Sequence, residues 1–311
     1  MSYLKEHINC DDDQLVFFKG QLEHVKAQAY DIKYPNLRAT EIFPISTDAG
    51  PAAESIAYEQ YDQTGVNKFI SDFADDLPRS DVKGKKFSIL VQSIGGCYGY
   101  SVQEIRASVM ARKPLLQMRA TSARRSCDTL IERIAFFANG TAQWAGLTGI
   151  LYHPNVTKSK ATNGTWTAAT AAQMVEDVNV AIQSVITLTN GMEAIDTVAL
   201  PLQQYGILAT TQNSSASDKT CLEFLKMVNP GVAFIPVYAL GGVVNPRTGS
   251  GNTNVMLLYR RSSDALTLEL PIPYEQFAAQ PRNLAVVVPT HARVAGFNIP
   301  YPLSVAVIDG I

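Results

Sequence analysis

The chain has 311 residues, 46% hydrophobic and only 17% charged, with a formal net charge of −2. That length buries a sizeable core, in one elaborated domain or two lobes, and excludes disorder as a description of the whole. So sparse a charged surface points to area hidden in contacts, and the near-neutral balance gives no global attraction to nucleic acid or anionic membrane.

The four cysteines, Cys10, Cys97, Cys127 and Cys221, show no C-x-x-C spacing. That argues against a zinc site and a disulfide framework and fits reduced thiols in a cytosol. Residues 1–7 lack a basic region followed by an apolar one, and no apolar run is long enough to span a bilayer, so a soluble, unexported protein is expected. The glycosylation patterns at Asn139, Asn155, Asn163 and Asn213 then read as ordinary polar turns.

As far as about Pro44 the chain mixes the acidic run Asp11, Asp12 and Asp13, an apolar patch at 15–18 and a weakly helical stretch at 20–30. This reads as an arm more than a domain. From 45 to 100 the pattern turns extended. Ile56, Tyr58 and Gln60 alternate with Ala57, Glu59 and Tyr61, and 87–94 forms a second strand-like run, predicting a long hairpin. Between these runs lie Asp72, Asp75, Asp76, Pro78, Arg79, Asp81, Lys83, Gly84, Lys85 and Lys86, too charged for a core. A two-stranded excursion is marginal alone. It is natural in an assembly, where a neighbour supplies the surface beneath it.

A short amphipathic helix is predicted at 102–111, and a long one from Pro114 to about Ala138, with proline suited to the first turn. Leu116, Ala120, Ala123, Cys127, Leu130, Ile134 and Phe137 form its apolar stripe, and Asn139-Gly140 stops it. Such a spine would be roughly 35 to 40 Å long. Its other faces carry Arg119, Arg124, Arg125, Asp128, Glu132 and Arg133, with Arg106, Arg112 and Lys113 just before, and read as a mildly basic solvated surface without base recognition. After the glycine-punctuated link 146–155, threonines open another helix marked by Ala171, Met174, Val178, Ile182 and Val185, closing at Asn190-Gly191. Buried strands are predicted at 197–200 and 232–239, helices at 203–211 and 218–228, and exposed loops at Gly241-Gly242 and 245–252. The last stretch reads as strands at 255–259, 266–270, 284–288 and 296–307, with the terminus tied into a sheet.

Motifs that would carry catalysis are missing. Gly84-Lys85 lacks the partner glycine of a phosphate loop and Gly95-Gly96-Cys97-Tyr98-Gly99 has the wrong spacing, so these read as turn or bulge glycines. No G-x-S-x-G occurs. His7, His24, His153 and His291 are far apart, and the sequence neighbours Glu176 and Asp177, or the acids Asp264 and Glu275, are too ordinary to imply acid–base work. No catalytic, cofactor-binding or metal-binding residue is assigned, and no cofactor is expected. Aromatic residues are not interleaved with basic ones as in a single-strand binding platform.

The order arm, long hairpin, spine helix, compact α/β lobe and returning strands resembles the Hong Kong 97-type capsid fold of tailed-phage major capsid proteins. The run beyond Val255 carries the resemblance most specifically: Arg293, Gly296 and Pro302 stand where that family has a strand arginine, a turn glycine and a proline before the last strand. The link 146–155 resembles the family's glycine-rich exit from the spine. The resemblance implies an α+β capsid fold with an N-terminal arm at 1–44 and an extended loop with flanking strands at 45–100. It further implies a peripheral domain from 101–164 and 256–311, and an axial domain at 165–255.

It also implies a non-enzymatic subunit that self-assembles into hexamers and pentamers around double-stranded DNA, in a virion put together in the bacterial host cytoplasm. Portal, scaffolding and possibly decoration proteins would be its partners, the scaffold as a separate chain, with packaged DNA touched non-specifically and no membrane. Some relatives crosslink a loop lysine; Lys68, Lys83, Lys85 and Lys86 are available, none is singled out, and non-covalent locking is expected. The alternatives are an encapsulin-like compartment shell around cargo enzymes and, at lower weight, a soluble α/β enzyme with an unrecognised site.

Overall fold

The structure, a computed structural model, describes residues 34–69, 79–111, 115–214 and 218–311. The early part of the expected arm, the acids Asp72, Asp75 and Asp76, and Arg112, Lys113 and Pro114 lie outside the described residues. Everything below belongs to the compact unit Asn36–Ile311.

In chain order the elements begin with a one-turn helix α1 (Ala39–Ile42), β1 (Ile45–Ser46), β2 (Ser55–Thr64), β3 (Asp81–Leu90), β4 (Gln92–Ser101), α2 (Val102–Ala111) and the spine helix α3 (Leu115–Phe137). There follow β5 (Thr157–Lys160), α4 (Ala171–Leu188), β6 (Thr197–Leu200), α5 (Leu202–Thr210), α6 (Cys221–Val228), β7 (Ala233–Pro236) and the small hairpin β8 (Val243–Val244) and β9 (Asn252–Thr253). The chain closes with β10 (Val255–Tyr259), β11 (Thr267–Glu269), β12 (Ile272–Gln276), β13 (Gln280–Arg282), β14 (Ala285–Val294), β15 (Gly296–Asn298) and β16 (Val305–Asp309).

The centre is a five-stranded mixed sheet in the order β5-β16-β10-β6-β7. Every residue of β6, β10 and β16 is buried. The strand period of two sends alternate side chains to opposite faces. Val255, Leu257 and Tyr259 join one core with Ile131, Ile134 and Phe136 of the spine. Met256 and Leu258 join a second core with Trp166 and the α4 residues Met174, Val178 and Val185. One sheet thus carries a core on each face. The expected boundary between 255 and 256 falls inside β10, whose neighbours β6 and β16 come from either side of it.

Helix α4 opens with a capping box, Thr170 accepting from the Gln173 amide while the Gln173 side chain accepts from that of Thr170. It stops at Asn190 and Gly191, both with positive φ. The spine ends as its sequence predicts, but its burial differs from the predicted stripe. Between 117 and 130 no residue is fully buried, and of the stripe residues from Ala120 onward only Ile134 is, with Cys127, Leu130 and Phe137 packing partly. The strand beneath the first half of α3 is the glycine-rich β4, which offers few side chains to bury against.

The glycines of Gly84-Lys85 and of 95–99 lie inside β3 and β4, not in turns. At Gly84 a Cβ would press to 3.0 Å from the Tyr61 ring, and at Gly99 to 2.8 Å from the Val286 carbonyl oxygen, so close cross-strand approach explains both.

A tight joint holds the exit of the spine. Gly149 and Ile150 donate amides to the carbonyls of Ala138 and Ala135 at 2.7 and 2.8 Å. At Gly296, φ is +81° and a Cβ would stand 2.7 Å from the Thr148 carbonyl oxygen. Gly296→Ala is expected to lower stability by roughly 2–4 kcal/mol through left-handed strain plus collision. Gly164→Ala, at φ +77° with open space around its Cβ, should lose about 1–2 kcal/mol. Urea midpoints of the two variants check the difference.

Candidate assembly surface

The hairpin of β2 and β3 pairs from Ser55↔Leu90 at its base to Thr64↔Asp81 at its far end. The charged stretch at 81–86, expected between the strands, is the first half of β3, and the expected run 87–94 is two strands that part at the buried Val91. Burial in the hairpin is confined to its base, where Ile56 faces Ile89 and Tyr58 faces Phe87, all half-buried. The Tyr58 and Phe87 rings stack at 5.2 Å, with the Lys85 ammonium 4.8 Å from the Phe87 ring centre. Beyond Tyr58 every residue of β2 is exposed. The register sets Glu59 opposite Lys86 and Asp62 opposite Lys83, a favourable cross-strand order of charge.

The base is tied down hard. Arg293 donates to the carbonyls of Pro51 and Ala53, the latter at 2.7 Å, and the Val91 amide donates to the Glu54 carbonyl at 2.9 Å. Ahead of it, residues 38–43 of the expected arm lie in the body, with Ala39, Ile42 and Phe43 buried. The Glu132 carboxylate accepts the Arg38 and Ala39 amides at 3.0 and 2.7 Å, capping α1 across a gap in sequence. Burial raises its pKa against the pull of those two amides. Glu132, read from sequence as part of the solvated face, is therefore an internal tether. Phe43 sits against Phe136, Tyr259 and Phe297 with ring centroids 5.6, 5.2 and 4.8 Å away.

On the outer side, β14 is flanked along its length by β4, and on its other edge by β12 and then β13. The spine lies over this sheet and leaves a cleft of about 240 Å³ lined by Ile94, Gly95, Gly96, Cys97, Ala123, Ser126, Cys127, Leu130, Thr290 and His291. Along the spine, Arg119 pairs with Glu104 at 2.8 Å and Arg124 with Asp128 at 3.8 Å, while Arg133 stacks over Trp144. Hydrogen bonding to Arg119 holds the Glu104 carboxyl down to about 2.

Of the side chains weighed for chemistry, His7, His24 and Cys10 lie outside the described residues. His291 bonds Glu275 at 2.8 Å. Asp264 pairs with Arg260 at 2.8 Å. Asp177 is buried and accepts from Trp166 Nε1 at 3.0 Å, and Glu176 accepts from Asn163 at 3.3 Å. Glu275 and Asp264 thus serve separate tethers, while Glu176 and Asp177 share Asn163. Among the described residues, no cluster of His, Cys, Asp or Glu is placed to hold a metal, and no helix is long and apolar enough to cross a membrane.

This arrangement, a two-cored body with a projecting hairpin, matches solved shells. The capsid of Myoviridae phage XM1 superposes with a TM-score of 0.82 at 17% identity, over 94% of this chain and 98% of that one. Mycobacterium phage Adephagia gives 0.64 at 12% identity over 94% and 96%. The capsid of an empty GTA particle gives 0.61 at 10% over 94% and 97%. These likenesses establish the Hong Kong 97-like fold. No curated protein matches. The family model described as "Major capsid protein" matches residues 65–311, and the chain belongs to that family. Its role is structural and non-enzymatic: copies of it build the capsid shell as a component of the virion, and the cargo-compartment alternative is not favoured.

His153 gives this body a pH dependence. It is buried, and desolvation, with Lys158 nearby, pushes its pKa down to about 4 from 6.5. The unfolded chain binds the proton first, so stability is lost as pH falls from about 6.5 to about 4, by roughly 3 kcal/mol in total. His153→Gln should flatten that part of the stability-against-pH curve, which denaturation midpoints at pH 7 and pH 4.5 would read.

Proposed function

We propose that the chain forms hexameric and pentameric capsomers that close around double-stranded DNA, with the hairpin of β2 and β3 lying on a neighbouring copy. In this reading 1–44 is the arm, 45–100 the extended loop with its flanking strands, 101–164 with 256–311 the peripheral domain, and 165–255 the axial domain. The observation that carries it is the hairpin itself, ten residues in each strand, anchored at the base by Arg293 and exposed on both faces beyond Tyr58. Such a ribbon is marginal in water and gains stability when buried on a partner.

The near-neutral charge and the pairing of Arg119 and Arg124 with acids favour weak, non-specific contact with packaged DNA. A portal and a separate scaffolding protein complete the partners, with decoration proteins as an optional addition. Assembly takes place in the bacterial host cytoplasm, in keeping with cysteines that are free among the described residues. Locking is non-covalent, so mature particles should give intact monomer on a denaturing gel.

Negative-stain microscopy of the purified chain, with and without its neighbouring gene products, tests the reading. Closed shells or six- and five-membered capsomers are the expected result. A monodisperse small oligomer under every condition would refute it.

A further inference from the structure

Two long stretches of the sequence, 133–175 and 224–263, contain no aspartate or glutamate, although the whole chain carries 28 acids against 26 lysines and arginines. The fold brings the two stretches together at one edge of the central sheet. Strand β5, from the first stretch, runs parallel to β16 with Lys158 opposite Val307 and Lys160 opposite Asp309. From the second stretch comes the turn after β8, where Arg247 meets Asp309 at 3.2 Å and Asn245 bonds the same carboxylate.

Residues two apart in a strand share a face, so Lys158 and Lys160 stand on the side of β5 that Asp309 occupies on β16. Strand β5 is the outermost strand of its sheet. Three cations, Lys158, Lys160 and Arg247, thus gather around one carboxylate, and that carboxylate is buried. Among the described residues neither lysine forms an ion pair with an acid. Lys160 is exposed and Lys158 half-buried, and burial lowers the Lys158 pKa with no carboxylate holding it up. The arginines of the spine differ, since Arg119 and Arg124 each have an acid beside them.

This local excess of positive charge lies along a sheet edge, a form that suits a row of phosphates. Tyr152, the aromatic residue of the same segment, packs against the core and donates its hydroxyl to the Val244 carbonyl at 2.6 Å, so its ring is not offered to a base. Cations without a stacking platform fit the backbone of a duplex and read no sequence. Resting on the shell reading above, we propose that Lys158, Lys160 and Arg247 form the surface on which the chain takes the phosphates of double-stranded DNA. It assigns the weak, non-specific contact to one place in the fold.

The test uses the unassembled full chain and fluorescein-labelled duplexes of two unrelated sequences, with binding read by anisotropy across a salt series. Both duplexes should bind equally, with log K falling against log salt at a slope of about −2 to −3, as for two or three phosphate contacts. Lys160→Gln should make the slope shallower by about 0.9 and weaken binding roughly eightfold at about 0.1 M salt, the share of one released counterion. Lys160→Arg should keep both values, and adding Lys158→Gln to Lys160→Gln should reduce the slope again. Lys226→Gln, which removes an exposed lysine on α6, should change neither. Urea midpoints confirm that the variants fold, and if Lys160→Gln does not, Lys158→Gln is read in its place.

An unchanged slope in the folded patch variants, an equal loss in Lys226→Gln, or no binding by the wild-type chain at low salt would each overturn the proposal. With normal shells by microscopy, those results would leave the shell reading intact. Tighter, Lys160-dependent binding of poly-glutamate than of duplex would assign the surface to an acidic protein partner and likewise reject DNA. The expected slopes from a chain that forms no shells would uphold the surface and count against the shell reading.

Discussion

Everything in the body hangs on strand β10. It pairs on both edges, with β6 and β16, and each of its five residues is buried. A strand so placed cannot alternate polar with apolar, because both faces of its sheet are interior, and Val255-Met256-Leu257-Leu258-Tyr259 accordingly has no polar position. Its side chains alternate between the two cores, so neither core can shift without moving the other. Tyr259 makes the coupling specific: its hydroxyl donates to the Ile42 carbonyl at 3.0 Å while its ring abuts Phe43. Burial pushes that phenol well above its ordinary pKa, so it acts as a fixed donor throughout the physiological range.

From that centre rigidity is handed outward by polar tethers and then ends. Glu132 fixes α1, Arg38 reaches the Pro236 carbonyl at 3.0 Å, and Arg293 fixes the approach to the hairpin. Past Tyr58 and Phe87 the described strand residues of the hairpin are exposed. The molecule therefore pairs a well-tethered body with an exposed ribbon, and a ribbon of two strands is marginal in water unless a partner covers it.

The spine was legible because a 23-residue helix repeats its period many times and carries its own stop signal at Asn139-Gly140. The capped helix α4 and the buried strands β6 and β10 were legible for similar local reasons. The first half of β3 was not: Lys83, Lys85 and Lys86 face water on a ribbon, so no hydrophobic alternation marks them as strand. The break at Val91 was hidden because the residues on both sides are extended, and only their partners change. Glu132 looked like a surface acid because its partners, the amides of Arg38 and Ala39, lie 94 and 93 residues away. The cleft left no sequence signal, because its lining at 94–97, 123–130 and 290–291 is brought together only by the fold.

The buried polar groups show what kind of work this fold is built for. Glu132 accepts two backbone amides; Asp177 holds Trp166 and Asn163; Asp309 is 2% exposed and takes Arg247 at 3.2 Å together with Asn245. Each of these carboxylates fastens a loop or a helix end, Glu132 to the spine, Asp177 to α4 and Asp309 to the central sheet. An active site needs polar groups held in position with their reactive atoms left open toward a substrate. These three carboxylates are instead engaged within the chain. What the described surface leaves open lies elsewhere: beyond Tyr58 the hairpin is exposed on both faces, and Val66 and Phe69 stand exposed just past its ladder.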